Sequence, residues 1–392
     1  MTALGLKVVV IGGGIGGLAV ARGMALRGAD VTVLEQAEAI REVGAGLQIS
    51  PNGFCVLEAL GLGAGLRARA VQGKAVSLRD YGGAEVLRLD LTRLPNQNYF
   101  FVHRADLIEL LAEGARDAGV KIRLLQKVDR VEDAGDDGRA CVHMANGDQM
   151  EADLVLGADG LHSVLRPALN GPAAPFFTGQ IAWRATVPSN GGRADEVRVF
   201  MGPHRHLVAY PLRGGRLINL VAVQERAAFT DESWSQSDDP IAVQQAFSDF
   251  GAEVRGLLSR IDQVMLWGLF RHPVAAHWHG RATALLGDAA HPTLPFMAQG
   301  ASMALEDAWA LVDCVMRSES LDLALPAYQA RRRGRAEKVI NAASGNAWKY
   351  HLSFPPLRFA AHAALRLGGA VAPDRMLKQF DWIYTHDETR VV

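Results

Sequence analysis

An α/β fold is predicted by three features of the 392-residue sequence. A β-branched run, Lys7–Ile11, leads directly into Gly12-Gly13-Gly14-Ile15-Gly16-Gly17 and a helical stretch, Leu18–Arg27. A second strand, Asp30–Leu34, then ends at Glu35. That order of strand, glycine loop, helix, strand and acid predicts a Rossmann-like nucleotide-binding domain. Alternating runs at Gln180–Val187, Glu196–Phe200, His206–Leu212 and Arg216–Val223, with a similar one at Val71–Leu91, predict an inserted mixed β-sheet substrate domain. From Tyr328 onward the pattern is helical, giving a C-terminal helical segment. The expected boundaries are 1–70, 98–179 and 276–327 for the discontinuous nucleotide domain. The inserted domain takes 71–97 and 180–275, and the helical region 328–392.

Within the nucleotide domain each glycine has its own reason. Gly12 permits the tight turn, Gly14 lets the backbone approach a pyrophosphate, and Gly17 lets helix and strand pack closely. The N-terminus of the helix that follows the loop offers unpaired N–H groups and a positive dipole end to phosphate. Glu35 stands about 20 residues beyond the loop, where a carboxylate can accept from both ribose hydroxyls and repel a 2′-phosphate. At this point FAD and NAD both remain open. βαβ units are expected at the start, around 104–166, and around 282–315.

Composition narrows the class. The chain is 49% hydrophobic and 21% charged with a net charge of −1, an ordinary globular balance without the basic block of a nucleic-acid surface. Cys55, Cys141 and Cys314 have neither metal-ligand nor disulfide spacing, so a reducing cytoplasm is expected, and no metal site. No segment approaches the ~20 apolar residues of a membrane span. The apolar stretch Phe354–Ala372, broken by Pro355, Pro356, Arg358, His362 and Arg366, reads as a buried or partner-facing helix. Asp231–Pro240 reads as an exposed polar loop leading into a helix, and Arg331–Arg335 as a solvated helix face.

Further glycine motifs distinguish the cofactor. Val43-Gly44-Ala45-Gly46-Leu47-Gln48-Ile49 follows the acid, and His103-Arg104-Ala105-Asp106-Leu107 opens a helix, Asp106–Ala118. Arg104 has two readings, a ligand contact or a partner for Asp106 or Glu109. Strand Asp153–Leu156 delivers Gly157-Ala158-Asp159-Gly160-Leu161-His162-Ser163-Val164-Leu165-Arg166. Strand Ala282–Leu286 delivers Gly287-Asp288-Ala289-Ala290-His291-Pro292, running on to Gln299-Gly300-Ala301 at the start of a helix. Glycine loops at both ends of one chain suggest one large cofactor held at both ends. With these motifs the chain resembles the single-component FAD-dependent aromatic hydroxylases, closest in motif to 3-hydroxybenzoate 6-hydroxylase, salicylate hydroxylase and 6-hydroxynicotinate 3-monooxygenase. The resemblance covers the chain up to about Val315.

The resemblance implies FAD as the resident cofactor and NADH or NADPH as a transient cosubstrate. Gly12, Gly14, Ile15, Gly17 and Glu35 would hold the adenosine diphosphate end. Gln48 would run beside the flavin, Arg104 would contact it, and Asp288 would accept from the ribityl hydroxyls. Asp159 would stand between FAD and NAD(P)H, and the amides of Gly300 and Ala301 would face the flavin pyrimidine edge. His291 reads as a loop-shaping residue packed near the cofactor.

Substrate residues are sought in the inserted sheet. On a strand, His206, Val208 and Tyr210 share a face. His206 and Tyr210 lie about 13–14 Å apart by extended rise, so they can bracket a ring but cannot bond each other. The resemblance implies that His206 draws the phenol proton while Tyr210 and Gln299 position the ring. A solvent-edge histidine beside a core tyrosine is the competing reading. The expected reaction hydroxylates a small phenolic or heteroaromatic acid with O2 through a flavin C4a-hydroperoxide, as in aromatic catabolism. Alternatives are a larger aromatic natural product or a purine such as urate as substrate, or a non-catalytic flavin-binding sensor or scaffold. The expected partners are the aromatic substrate, O2 and NAD(P)H, with neither nucleic acid nor integral membrane, and a homodimer among the expected assemblies.

Overall fold

Lys7–Ile11 lies at the centre of a five-stranded parallel sheet. The strand order is Thr283–Leu285, Leu154–Gly157, Lys7–Ile11, Asp30–Leu34, Lys121–Arg123. The computed structural model describes residues 4–40, 46–94, 98–135, 138–191, 195–228 and 236–391. Val8, Val9 and Val10 are fully buried because helices cover both faces of the sheet, as continuous apolar runs in parallel strands require. Helix Ile15–Ala25 packs between helices Arg104–Asp117 and Gly300–Arg317. The carboxyl ends of the strands, where Gly12, Glu35, Ala158 and Leu286 follow, all open on one side. In such sheets that edge is where ligands bind.

One expectation for this half is corrected. Between helix Arg104–Asp117 and strand Leu154–Gly157 the chain does not continue as a simple βαβ unit. Val128–Glu132, Ala140–Met144 and Gln149–Ala152 form a separate antiparallel sheet. The reason is local. Asn146-Gly147, with Gly147 at φ +92°, makes the tight turn that closes a hairpin.

The inserted sheet has eight strands among the described residues. Their order is Ser237–Asp238, Val264–Arg271, Phe176–Pro188, Leu217–Glu225, Arg205–Leu212, Glu196–Gly202, Ala75–Asp80, Glu85–Asp90. All neighbours are antiparallel except Glu196–Gly202 and Ala75–Asp80, so the sheet is mixed. Val71–Gln72, read as part of this sheet, instead pairs with Phe100–His103, which also pairs with Gly46–Ile49 in a small sheet. Period-two alternation divides the large sheet. Trp183, Leu207, Ala209 and Leu220 turn to a core shared with Phe247, Phe250 and Val254 of the adjoining helical segment. Arg184, His206, Val208 and Val221 turn to the opposite face and line a cavity. Residues 231–235 of the polar stretch read at Asp231–Pro240 lie outside the described residues. Within the rest, Ser237–Asp238 pairs as an edge strand instead of a loop, and the helix it leads into is Pro240–Ala246.

The arginine cluster is a second correction. Arg331–Arg335 lies in helix Leu321–Tyr350, but it is not a solvated face. Arg332 is 0% exposed and pairs with Glu306 at 2.7 Å, Asp307 at 2.8 Å and Glu388 at 2.9 Å. Arg331 binds Asp313 and Glu388, and Arg335 binds Glu306. Burial pushes the Glu306 carboxyl up, and Arg332 and Arg335 more than reverse this, bringing it down to about 2. Asp307 is likewise held well below the carboxylate range by His291 and Arg332 against the effect of burial. The cluster thus clamps the C-terminal turn and the long helix onto helix Gly300–Arg317. Sequence periodicity missed it because its acids lie on two other elements.

Helix Pro355–Val371 packs on strand Glu85–Asp90, and Ala361, His362 and Leu365 face the cavity. His362 is its buried residue, while Phe359, Leu367 and Val371 are exposed. No helix among the described residues is long and apolar enough to cross a membrane.

Candidate active site

One cavity of about 930 Å³ joins the two halves, and its walls carry residues from every motif described above. That volume is at the top of the usual range for ligand pockets, roughly 300–1,000 Å³. Gly12 has φ +100°, and a Cβ there would meet the Ala158 carbonyl oxygen at 2.5 Å. A Cβ on Gly17 would meet the Gly12 oxygen at 2.1 Å. Gly17 therefore holds helix to strand and does not line the cavity. Around a Cβ on Gly14 no protein atom lies within 4 Å, leaving the loop open where a ligand would approach. The helix starting at Ile15 has no side-chain cap, so its first amides face the cavity unshielded.

Glu35 lines the same end. Its carboxylate accepts from Gly13 N–H at 2.7 Å and Ala37 N–H at 2.9 Å, which ties the glycine loop to the second strand. Four lone-pair positions leave room for further donors. Gln48 lines the middle and accepts from Tyr99 Oη at 2.8 Å. The preceding residues 43–45 of its motif lie outside the described residues. Arg104 points into the cavity. Asp106, one of its two alternative partners, is bound by Arg213 at 2.7 Å. Burial lowers the Arg104 pKa while Asp288 raises it; burial raises Asp288, while His291 and Arg104 lower it. Arg104 is half-buried and Asp288 is exposed in the cavity wall, and each acts electrostatically on the other.

Asp159 divides its carboxylate. One oxygen accepts from Val164 N–H at 2.8 Å, and the other is buried with no hydrogen-bond partner among the described residues. Burial raises its pKa. The turn-forming and ligand-facing readings thus each claim one oxygen. At the far wall, Gly300 and Ala301 open helix Gly300–Arg317, which likewise lacks a side-chain cap. These uncapped amides, the open glycine loop and the orphaned Asp159 oxygen fit an elongated polyanionic cofactor with hydroxyl and ring donors, as FAD is. His291 bonds Asp307 and packs on Trp278, the structural part expected of it.

His206, Val208 and Tyr210 all line the cavity, as strand geometry requires. His206 is 2% exposed and is not at a solvent edge. Its ring lies 5.5 Å from Phe296 and 5.3 Å from Tyr350. Burial, with His351 beside it, holds its pKa well below the ordinary histidine value, so the resting ring is neutral. Tyr210 packs on Phe101, and burial raises its pKa, so it is a phenol and not a phenolate. Gly46 is required here, because a Cβ would sit 2.7 Å from the Tyr210 ring.

Gln299 is a correction. Its amide is 2% exposed, accepts from Asn52 at 3.0 Å and donates to Ser50 at 3.0 Å. It does not line the cavity. It stands just before the helix start in an αR turn without bonding the helix amides, and its side chain is held by Ser50 and Asn52 at the start of helix Pro51–Ala59. Ring positioning by Gln299 is therefore withdrawn.

Arg184 was missed. Among the described residues its guanidinium has no carboxylate partner, its Nε has no hydrogen-bond partner, and it stacks 4.3 Å over Trp267 in the cavity wall. Burial lowers its pKa to about 10, so it remains charged at neutral pH. Arg184 shares its strand face with Gln180 and Thr186, which reads in sequence as an ordinary polar face, so only the fold placed it in the cavity.

Comparison with known proteins agrees with this architecture. The chain belongs to the FAD binding domain family, whose profile matches residues 5–343. It is 35% identical over 361 residues to 3-amino-4-hydroxybenzoate 2-monooxygenase of Streptomyces cremeus, covering 90% of this chain and 89% of that one. It is 33% identical over 393 residues to 3-hydroxybenzoate 6-hydroxylase of Polaromonas naphthalenivorans strain CJ2, covering 97% and 96%. In structure it resembles Klebsiella pneumoniae HpxO complexed with FAD and uric acid, with a TM-score of 0.85, 24% identity and 97% of each chain covered. The chain is an FAD-dependent aromatic monooxygenase.

Proposed function

We propose that this enzyme uses NAD(P)H and O2 to hydroxylate a small aromatic acid bearing a phenolic hydroxyl. The observation that carries the substrate class is Arg184, a half-buried cation whose Nε is buried and unbonded and which has no carboxylate partner among the described residues, in the same cavity as His206 and Tyr210. A buried charge is costly unless paired. A substrate carboxylate would pair it, and an arginine binds carboxylate through two parallel bonds. The names of the two curated relatives each describe a hydroxybenzoate, a ring with both phenol and carboxylate, which supports the same reading.

Bound FAD, reduced by NAD(P)H and exposed to O2, supplies an electrophilic oxygen to the ring. The chain's own residues do the rest. Gly12, Gly14 and Glu35 hold the nucleotide end, with Arg104, Asp159 and Asp288 along the flavin end. His206, neutral at rest, takes the phenol proton, because a phenolate ring attacks far better than a phenol. Tyr210 bounds the other end of the ring. Helices Leu321–Tyr350 and Pro355–Val371 close the cavity against water, which would otherwise divert the oxygen to H2O2.

The test is effector-stimulated NADH and NADPH oxidation by the FAD-loaded protein. 3-Hydroxybenzoate, 3-amino-4-hydroxybenzoate, 6-hydroxynicotinate and urate should be compared, with mass spectrometry of products. Stimulation with +16 Da product from a phenolic acid is expected. Response to urate alone would overturn the substrate class, and retained FAD with no response to any aromatic compound would indicate a flavin-binding scaffold.

A further inference from the structure

A file of hydrogen bonds leads away from the cavity through His206. Its Nδ1 lies 2.7 Å from His351 Nε2. The other nitrogen of His351, Nδ1, lies 2.8 Å from Glu225 Oε1, and Glu225 Oε2 lies 2.7 Å from His204 Nδ1. Side-chain exposure rises along the file, from 1% at His351 through 39% at Glu225 to 61% at His204. Backbone bonds pin the same residues. His204 N–H donates to the His351 carbonyl at 3.1 Å, and Glu225 N–H to the His204 carbonyl at 2.9 Å. His204 turns the hairpin in the left-handed region at φ +60°, a conformation unusual for a residue other than glycine.

The proton positions follow from one end. Burial pushes the Glu225 carboxyl up, and the bonds from His204 and His351 more than reverse it, so Glu225 is ionised. An ionised carboxylate only accepts, so His351 carries its proton on Nδ1. Neutral His351 then accepts at Nε2, and His206 must donate from Nδ1. The proton-free nitrogen of His206 is thereby Nε2, which makes no other hydrogen bond among the described residues. A neighbouring group sets the tautomer, and the tautomer leaves the base ready.

We propose that His351 and Glu225, with Glu225 held by a bond from His204, are a proton exit that orients His206 and carries the substrate's phenolic proton from the cavity to solvent. The proposal rests on the hydroxylase reading above. When the phenol O–H breaks, a new N–H forms at His206 Nε2. The Nδ1 proton of His206 moves to His351 Nε2, the Nδ1 proton of His351 moves to Glu225, and Glu225, exposed on its other side, releases it to water. No electron changes hands, and one proton leaves for each phenolate formed. A final back-rotation of the rings, or proton return after turnover, restores the starting tautomers.

Other titratable groups surround the file. Tyr350 packs against His206 with its hydroxyl pushed up to about 12 by burial, and Lys349 precedes it in the cavity wall. On adjoining elements Arg205 pairs with Asp249, Arg226 stacks on Trp183 and Arg358 on Tyr81. None of these three is bonded to His206, His351 or Glu225.

The test uses FAD-loaded enzyme with 3-hydroxybenzoate or 3-amino-4-hydroxybenzoate, first without NAD(P)H. Phenolate absorbance of the bound ligand gives its apparent pKa, and an indicator dye in weak buffer counts protons released on binding. Wild type should ionise the phenol below its free pKa and release close to one proton. Glu225→Gln should raise the bound phenol's apparent pKa by about one unit and slow proton release, with FAD still bound. General-base assistance is worth about 10²–10⁴-fold, so losing part of it should lower kcat at neutral pH about tenfold or more with KM little changed. That loss should vanish as pH nears the phenol's own pKa, and Glu225→Asp should restore part of it. His351→Gln should behave like Glu225→Gln; if it does not fold, the half-exposed Glu225 variants decide. Wild-type phenol pKa, proton release and pH profile in Glu225→Gln would overturn the relay while leaving the hydroxylase reading intact. Wild type that neither binds nor hydroxylates any phenolic acid would overturn that reading and the relay with it.

Discussion

Replacing Arg332 by Met should expose how the C-terminal helices are held on the cofactor domain. The substitution keeps much of the side-chain volume and removes a fully buried cation bound to Glu306, Asp307 and Glu388. Breaking a buried ion pair from one side costs about 3–5 kcal/mol. Arg335, His291 and Arg331 stay beside the three carboxylates, so about 3 kcal/mol is expected. The depression of Glu306 from 4.5 to about 2, which Arg332 shares with Arg335, corresponds to about 3 kcal/mol of linkage, so Arg332's part of it is smaller. At about 2.1 cal/mol/K of unfolding entropy per residue, 392 residues give about 0.8 kcal/mol/K, so Tm should fall by about 4 °C. The pH dependence carries a sign. In wild type the folded carboxyl pKa is depressed, so its stabilisation is present above the unfolded value of 4.5 and is lost as pH falls toward about 2. In Arg332→Met the buried carboxylates lose their cation, their pKa values rise, and lowering pH relieves them by protonation. The Tm gap between the proteins should therefore narrow from pH 7.5 to pH 5. Thermal release of flavin fluorescence measures both. A Tm within 1 °C of wild type, or a gap independent of pH, would refute the clamp.

Four shorter predictions concern the site. Gly14→Ala should leave the apoprotein's Tm unchanged but weaken FAD binding, since only ligand space meets the new methyl; Gly17→Ala, 2.1 Å from a backbone oxygen, should destabilise the apoprotein itself, as apo melting curves can show. Glu35→Ala removes a charged acceptor worth about 1.5–3 kcal/mol per bond, so flavin-fluorescence titration should show FAD bound about 10- to 100-fold more weakly. Asp159→Ala should slow anaerobic flavin reduction in stopped flow while FAD content stays normal; an unchanged rate would leave Asp159 as a turn residue only. His206→Ala should lower hydroxylation by about 10²–10⁴-fold and lower the ratio of product to NAD(P)H consumed, and wild-type coupling at all pH values would remove it as the base.

The amino-acid sequence by itself determined the nucleotide half, because there the chemistry is local. A glycine needed for a turn, an amide at a helix start and an acid at a strand end all lie within a few residues of the strand that positions them. Strand alternation likewise determined that His206 and Tyr210 share a face, since side chains on a strand must alternate. Only tertiary structure decided what that face meets. Gln299 sits in a motif aimed at the cofactor, yet Ser50 and Asn52, some 250 residues earlier, bind its amide and turn it away. Arg332 looked solvated until two other elements brought it three carboxylates. His206 acquired its tautomer from His351 and Glu225, which lie 145 residues away and on a neighbouring strand. Hydrogen bonds and ion pairs act over about 3 Å, so residues far apart in sequence have no such relation until folding brings them into contact.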